Sequence, residues 1–360
     1  QHDARHHHRV DRRGQRNLIP TSVVGTDDFA EARERELVAE AELWDVSTIA
    51  PATHDDIPIV DVSAWRASGD PAELNALGDQ VRVIGEEVGF HFLTGHGIDP
   101  SVTADAFAAA KAFLTLPDDA KLPIRMDTPD TVVPGAGYLP VGERKLPRRA
   151  KGNLNEAIIF KRDVGLSLAE AAWPDPALVP DFRRAVEVYA TEIERVALEL
   201  VPVYARALQL PADFFNGAMR DPFWRLRMTR YHPVGAVPAD EFGIAPHVDT
   251  TFFTLLAQDT EGLTIRSERR GEWVAAPVVA DALVVNTGEL LKQWSNDRFV
   301  SVKHFVPPHQ GPADRYSIPF FFNANADWPM RVLPTCTDEA NPPRYPAVSY
   351  RQSQAAAQGE

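Results

Sequence analysis

The chain has 360 residues, of which 44% are hydrophobic and 24% charged, and a formal net charge of −14 at pH 7. This composition is ordinary for a globular protein with a sizeable core, and the negative charge argues against a nucleic-acid partner, which needs a basic face. A single cysteine, Cys336, excludes an internal disulfide, and no apolar run reaches the length of a membrane span. We therefore expect a cytoplasmic protein without a nucleic-acid or membrane partner, and its oligomeric state stays open.

Five segments are predicted along the chain. Residues 1–50 form a polar, partly flexible extension, and its His6–His8 triplet is interpreted as solvated rather than metal-binding. The other four segments are an N-terminal region over 51–170, a helical support over 171–220, a core of short strands over 221–330 and a C-terminal tail over 331–360.

The first half of the folded body is predicted to mix short strands with helices. Alternation and helical spacing predict a strand over 57–62, a helix over 74–88 that stops at Gly89, a strand over 90–93 and a helix over 101–116. The stretch 129–152 is rich in Pro, Gly and basic residues. Such a stretch is typical of a lid over a site or of a solvated surface loop.

A long amphipathic helix and a series of strands are predicted in the second half. Apolar residues recur at steps of three and four from Phe182 to Tyr204. Short β-type runs then follow at 226–231, 252–257, 263–265, 273–276, 282–286, 299–306 and 316–322, with a short helix at 289–294. We expect a mainly β fold with flanking helices, of the sandwich or jelly-roll kind.

Three side chains have the chemistry of a metal centre. His247 and Asp249 stand two residues apart, so on an extended segment they share a face. His304 follows on another predicted strand. Two imidazoles and one carboxylate on one face of an ion form the ligand triad of non-haem iron(II) oxygenases, which leaves positions open for a cosubstrate and dioxygen.

A carboxylate-binding pair follows the last of these residues. Arg315 and Ser317 alternate on one predicted strand and share a face. The guanidinium can bind a carboxylate with two parallel hydrogen bonds, and the hydroxyl adds another donor. A dicarboxylic cosubstrate could thus chelate the metal at one end and bind Arg315 at the other.

Taken together, these motifs resemble those of the isopenicillin N synthase-like iron(II)/2-oxoglutarate-dependent dioxygenases. The resemblance covers roughly residues 57 to 325. It rests on Ile57-Pro58-Ile59-Val60-Asp61, Gly89-Phe90-His91-Phe92, Gly95-His96-Gly97-Ile98, Pro246-His247-Val248-Asp249, Asn286-Thr287-Gly288-Glu289, Trp294-Ser295-Asn296, His304, Arg315-Tyr316-Ser317 and Pro319-Phe320-Phe321-Phe322.

The resemblance implies a double-stranded β-helix, or jelly-roll, core with helices outside it. It implies that Fe(II) is bound by His247, Asp249 and His304, and that 2-oxoglutarate is bound by Arg315 and Ser317. Tyr231 is a further candidate for cosubstrate binding. The implied reaction uses O2, releases succinate and CO2, and oxidises a small molecule, with a natural product as the expected class. Hydroxylation is the default outcome, and desaturation or ring closure is possible with the same residues.

Two departures from the family pattern concern the surroundings of the site. Arg230-Tyr231-His232-Pro233 stands where many relatives carry Asn-Tyr-Tyr-Pro, and we interpret His232 as a supporting residue rather than a fourth ligand. Phe305 follows the last ligand where an arginine is common. In the N-terminal region, Tyr138 and the stretch 153–160 are candidates for the substrate pocket.

Two alternative functions stay open. An iron-dependent oxidase of the same fold would use the Arg315 and Ser317 pair for a carboxylate other than 2-oxoglutarate. A non-catalytic ligand receptor would use the jelly roll without turnover. The basic residues over 144–151 suggest an acidic substrate or, equally, a solvated cluster of charges.

Overall fold

Two β-sheets form the frame of the protein, as seen in a computed structural model that describes residues 49–129, 131, 133–144, 151–238 and 240–358. Nearly all of the N-terminal extension, including the His6–His8 triplet, lies outside these residues. The strands are β1 (Ala50–Pro51), β2 (Ile59–Asp61), β3 (Phe90–Thr94), β4 (Gly137–Leu139), β5 (Glu156–Arg162), β6 (Phe223–Tyr231), β7 (Ile244–His247), β8 (Phe253–Gln258), β9 (Thr264–Ser267), β10 (Glu272–Ala275), β11 (Leu283–Thr287), β12 (His304–Val306) and β13 (Arg315–Asn323).

One sheet has eight strands in the order β2-β3-β11-β8-β13-β6-β5-β4, and the other has five in the order β1-β10-β9-β12-β7. The larger sheet takes four of its strands from the first half of the chain and four from the second. The predicted segments 51–170 and 221–330 therefore contribute to one sheet, and their boundaries stay predictions. The mainly β architecture with flanking helices is confirmed.

Helices flank the two sheets. They are α1 (Ser63–Ser68), α2 (Pro71–Glu87), α3 (Pro100–Leu114), α4 (Asp118–Lys121), α5 (Phe182–Ala207), α6 (Glu289–Trp294) and α7 (Tyr350–Gln358). The α2 and α3 helices each begin with proline after an aspartate, Asp70 or Asp99, whose carboxylate accepts a backbone N–H of the first turn. The predicted apolar stripe of α5 is confirmed, because its residues are buried in the main core.

The two faces of the eight-stranded sheet carry different kinds of residues. Pairing along neighbouring strands places Asn286, Thr254, Phe321 and Arg225 in one row across β11, β8, β13 and β6. Because side chains alternate along a strand, every second residue of these strands shares that face. We call it the inner face; the opposite, outer face carries apolar residues of the main core.

Three parts of the strand prediction need correction. Residues 299–303 are not a strand, because Val300 donates its N–H to Gly85 O at 2.7 Å, at the end of α2, instead of to a neighbouring strand. The stretch 129–152 is not only loop, since β4 lies within it, although 145–150 are outside the described residues. The β5 and β7 strands were not predicted. None of the helices in the described part of the chain combines the length and the apolar sequence that a membrane span requires. The cytoplasmic location stays a prediction.

A close approach between two helices should make the fold sensitive at Gly78. A Cβ added there would lie 2.5 Å from the Arg206 Cβ and 3.1 Å from its backbone carbon, so α2 would have to move away from α5. Alanine normally favours a helix interior over glycine, yet here we expect Gly78→Ala to destabilise the protein by about 1–3 kcal/mol. Chemical denaturation measures this change. Gly235→Ala, where the new Cβ would meet nothing within 4 Å, is the control, and equal stability of both variants would contradict the packing argument.

Candidate functional site

The three predicted metal ligands converge at the edge of the five-stranded sheet. His247 ends β7, His304 begins β12, and the two residues are paired partners across these antiparallel strands. Asp249 lies two residues past His247, beyond the end of β7. The extended segment predicted for both residues is therefore only partly a strand, but the carboxylate still turns to the same point.

One ligand atom from each residue lies within 4.8 Å of the others. The Asp249 Oδ1 atom is 3.5 Å from His247 Nε2 and 3.7 Å from His304 Nε2. Such spacing suits three donors around a single ion. The donor set, two nitrogens and one oxygen, suits a divalent transition metal and leaves part of its coordination sphere unused by the protein.

Backbone carbonyls orient both imidazoles. His247 Nδ1 lies 2.9 Å from Ala245 O and His304 Nδ1 lies 3.1 Å from Val302 O, so each Nδ1 carries the proton and each Nε2 offers a lone pair. Burial, and after it the charge of His247, lowers the pKa of His304 to about 4. His304 is thus neutral at neutral pH, as a metal ligand must be.

The Asp249 carboxylate is held by the larger sheet. Its Oδ2 atom accepts hydrogen bonds from Thr254 Oγ1 at 2.7 Å and Asn286 Nδ2 at 2.9 Å, both on the inner face. Burial would raise the pKa of Asp249, but the charge of His304 and hydrogen bonding by His247 and Asn286 outweigh it and lower the pKa. The carboxylate is therefore ionised, with Oδ2 engaged and Oδ1 directed to the histidines.

Arg315 is a buried cation on the same inner face. It is 1% exposed, and Nε donates to the carbonyl oxygens of Thr260 and Glu261 at 3.2 and 3.0 Å. Gln258 Oε1 accepts from Nη2 at 3.3 Å, while Nη1 has no partner. Among the residues that the structure describes, no carboxylate pairs with it. A buried charge without a counter-ion is costly, so the site has a place for an anion.

Three hydroxyl groups lie on the strands beside the Arg315 guanidinium. Tyr231 pairs with Arg315 across β6 and β13, and its ring lies 4.7 Å from the guanidinium carbon. Its OH is 3.5 Å from Ser317 Oγ. Thr229, the partner of Ser317 on β6, has a buried Oγ1 without a hydrogen-bond partner. The structure thus brings Arg315, Ser317 and Tyr231 together, with Thr229 as an addition that the sequence did not suggest.

Other residues noted in the sequence lie away from this face. His232 Nε2 lies 2.9 Å from Glu156 Oε1, and Tyr138 donates its OH to Glu156 Oε2 at 2.6 Å. Glu156 pairs with Arg230 on the outer side of the sheet, so Tyr138 does not line an inner-face pocket. Phe305 packs between Phe242 and Trp273 in a small apolar cluster.

The supporting residues Thr254 and Asn286 were missed in the sequence, although a signal was present. Thr254 interrupts the predicted apolar run 252–257, and Asn286 ends the run 282–286. A polar residue in an apolar strand is a candidate for a buried hydrogen-bonding role. The sequence alone could not show that both would reach the same carboxylate oxygen, since they lie on different strands.

Two sequence profiles match the chain. The profile of the 2OG-Fe(II) oxygenase superfamily matches residues 223–324. The profile described as the non-haem dioxygenase in morphine synthesis N-terminal region matches residues 57–180. The first match includes all of the metal-centre and Arg315-site residues described above.

Individual relatives agree with these profiles. The 2-oxoglutarate-dependent dioxygenase citB of Monascus ruber is 31% identical, covering 77% of this chain and 87% of the relative. Azadirone synthase LFS of Melia azedarach is 32% identical, covering 73% of this chain and 82% of the relative. The crystal structure of Neurospora crassa T7H in complex with alpha-KG superposes with a TM-score of 0.74 at 25% identity, over 86% of this chain and 99% of that one. The double-stranded β-helix prediction is thereby confirmed.

Removing the Thr254 hydroxyl should weaken metal binding without removing a ligand. Thr254→Val keeps the shape but leaves Oδ2 of Asp249 with Asn286 alone. We expect the affinity for Fe(II) or Co(II) to fall about tenfold or more, the usual effect of losing a group that orients a ligand. Anaerobic titration of the metal-free protein measures it. Thr191→Val, on the exposed side of α5, is the control. Unchanged affinity in Thr254→Val would show that the hydrogen bond does not position the carboxylate.

Proposed function

Because the chain belongs to the 2-oxoglutarate-Fe(II) oxygenase superfamily, we propose that His247, Asp249 and His304 hold its iron and that Arg315, Ser317 and Tyr231 bind 2-oxoglutarate. Within that family, bound iron activates O2 with 2-oxoglutarate as the reductant, which leaves as succinate and CO2. The proposal assigns each cosubstrate contact to a residue whose position is described above.

The observation that carries the proposal is the unpartnered Arg315 Nη1. Its other donors are used by backbone carbonyls and Gln258, so the guanidinium is fixed in orientation. A carboxylate placed against Nη1 would also reach the hydroxyls of Ser317 and Tyr231. These contacts would hold the far end of 2-oxoglutarate, while its keto acid end points to the histidines and Asp249.

The three ligands have a second task, which is to leave the centre with enough positive charge to attract a dianion. One carboxylate and two neutral imidazoles leave a net charge of about +1 on a bound divalent ion. A 2-oxoglutarate dianion would then be favoured by that charge and by Arg315. Thr229 Oγ1 offers one more donor next to Ser317.

The substrate is proposed to be a small organic molecule from specialised metabolism, which the similarity to an azadirone synthase supports. Hydroxylation is the default outcome, with desaturation or cyclisation available to the same residues. A screen of small molecules with Fe(II), 2-oxoglutarate and O2 tests this function, with succinate and oxidised product measured together. Product formed without succinate would favour the oxidase that does not use 2-oxoglutarate, and O2 consumption at background level with every compound would favour a receptor.

Two variants should separate the metal centre from the cosubstrate site. Asp249→Ala removes the only charged ligand, so we expect loss of Fe(II) binding and of succinate formation. Arg315→Ala should retain Fe(II) but need roughly 10- to 100-fold more 2-oxoglutarate, because a charge-assisted contact is lost.

Metal titration and the dependence of succinate formation on 2-oxoglutarate concentration measure these effects. Arg183→Ala, an exposed arginine on α5, is the matched control for loss of a positive charge. An Asp249→Ala variant with full activity would show that the ligand assignment is wrong, and an Arg315→Ala variant with an unchanged 2-oxoglutarate requirement would place the cosubstrate elsewhere.

A further inference from the structure

A second buried arginine on the inner face has no anionic partner. Arg227 is 6% exposed. Its Nη2 donates to the amide oxygen Oδ1 of Asn155 at 2.6 Å, and its buried Nε has no hydrogen-bond partner. Among the described residues no carboxylate lies within ion-pair distance of it. Asn155 is neutral and orients the guanidinium without cancelling its charge.

Arg227 is one of a row of polar residues along β6. Arg225, Arg227, Thr229 and Tyr231 alternate with the apolar Trp224, Leu226 and Met228, which lie in the main core. The polar row therefore shares the inner face with the proposed cosubstrate residues. Arg225 Nε is likewise buried without a partner.

We call Arg225 and Arg227 the arginine cluster. Arg227 stays protonated at neutral pH, because burial, and after it the charge of Arg144, lowers its pKa only to about 10. Two guanidinium groups on neighbouring positions of one face repel each other. A bound anion would offset this repulsion and return some of the solvation that burial takes from Arg227.

The arginine cluster is separate from the Arg315 site. Arg315 pairs with Tyr231, and Arg227 lies four residues before Tyr231 on β6. At the rise of a strand, the backbones of Arg227 and Tyr231 are about 13 Å apart. The cluster is nevertheless near the metal centre. Thr254, whose hydroxyl bonds to Asp249, and Arg225 are both paired with Phe321, from the strands on either side of it. Two strand spacings therefore separate the backbones of Thr254 and Arg225, a distance of about 10 Å.

Apolar residues adjoin the cluster. Ile159 on β5 is the direct partner of Arg227 on β6. It packs with Met126, Leu139 and Ala157 in a small apolar group apart from the main core. An acid with a hydrocarbon or aromatic body would place its charge on the arginines and its body against these residues. A fully polar ligand would leave the apolar residues without a contact.

We infer that Arg227, together with Arg225, binds an anionic group of the substrate, so that the enzyme oxidises apolar molecules bearing a carboxylate or a phosphate. The inference rests on the proposed function, since it names the substrate class of the same site. It assigns Arg227 to the substrate rather than to the cosubstrate or to the fold. The arginine fork contacts a carboxylate or phosphate through paired hydrogen bonds, which would also orient the apolar body toward the metal centre.

The test is a binding experiment that needs neither iron nor turnover. Metal-free protein is screened against carboxylic acids with hydrocarbon or aromatic bodies, each with its methyl ester, and against organic monophosphates; hits are measured by calorimetry. We expect acids or phosphates among the hits and esters at least tenfold weaker. Arg227→Gln should lower the affinity for the anion roughly 10- to 100-fold, with partial recovery in Arg227→Lys.

Two further variants separate the arginine cluster from the overall charge of the protein and from the cosubstrate site. Arg183→Gln removes an exposed positive charge and should bind like the unaltered protein. Arg315→Ala should also keep its affinity for the acids, because its site is separate. If Arg227→Gln does not fold, as judged by circular dichroism, Arg225→Gln takes its place with an expected loss of several-fold, since the Arg225 side chain is only partly buried.

Three results would overturn the inference. They are esters that bind as tightly as acids, full affinity in the Arg227 and Arg225 variants, and loss of affinity in Arg315→Ala instead, which would place the acids in the cosubstrate site. A screen in which no anion binds would count against it as well. Because succinate formation is not measured, failure here leaves the proposed oxygenase function to its own test.

Discussion

The site depends on one buried carboxylate that both sheets share. Asp249 follows a strand of the smaller sheet, and its Oδ2 atom is bonded by Thr254 and Asn286 of the larger sheet. A buried ionised carboxylate is stable only when donors and nearby positive charge compensate the lost hydration. Two donors satisfy one oxygen, and the other oxygen is left to the two histidines and to a cation between them. The position of the metal centre thus follows from how the sheets pack.

Backbone pairing gives this arrangement its precision. His247 and His304 are direct partners in an antiparallel ladder, and each ring is oriented by a carbonyl two residues earlier in its own chain segment. A shift of one residue in the register would turn one imidazole to the opposite face. The ligand geometry therefore depends on the same hydrogen bonds that build the sheet.

The elements that depend on local sequence patterns could be predicted from the sequence. The α6 helix has the predicted bounds, and the α5 stripe is buried as its spacing indicated. The prediction was wrong where contacts between residues far apart in the sequence determine the secondary structure. Residues 299–303 have strand-like composition, but the packing of Phe299 and Val300 against the end of α2 directs their hydrogen bonds elsewhere. The glycines and prolines around β4 are typical of a loop, so the sequence did not predict this strand. It forms by pairing with β5.

The two faces of β6 show two uses of the same side chain. On the outer face, Arg230 contacts Glu156 at 3.2 Å and Asp314 at 2.7 Å, so its charge is neutralised within the fold. On the inner face, Arg227 has an amide as its partner, and Arg315 on β13 has only carbonyl and amide oxygens. Arginines needed only for stability would gain from carboxylates on either face. Within the described residues Arg230 has carboxylate partners while Arg227 and Arg315 have none, as expected if these two arginines keep their positive charge for anions that arrive from solution.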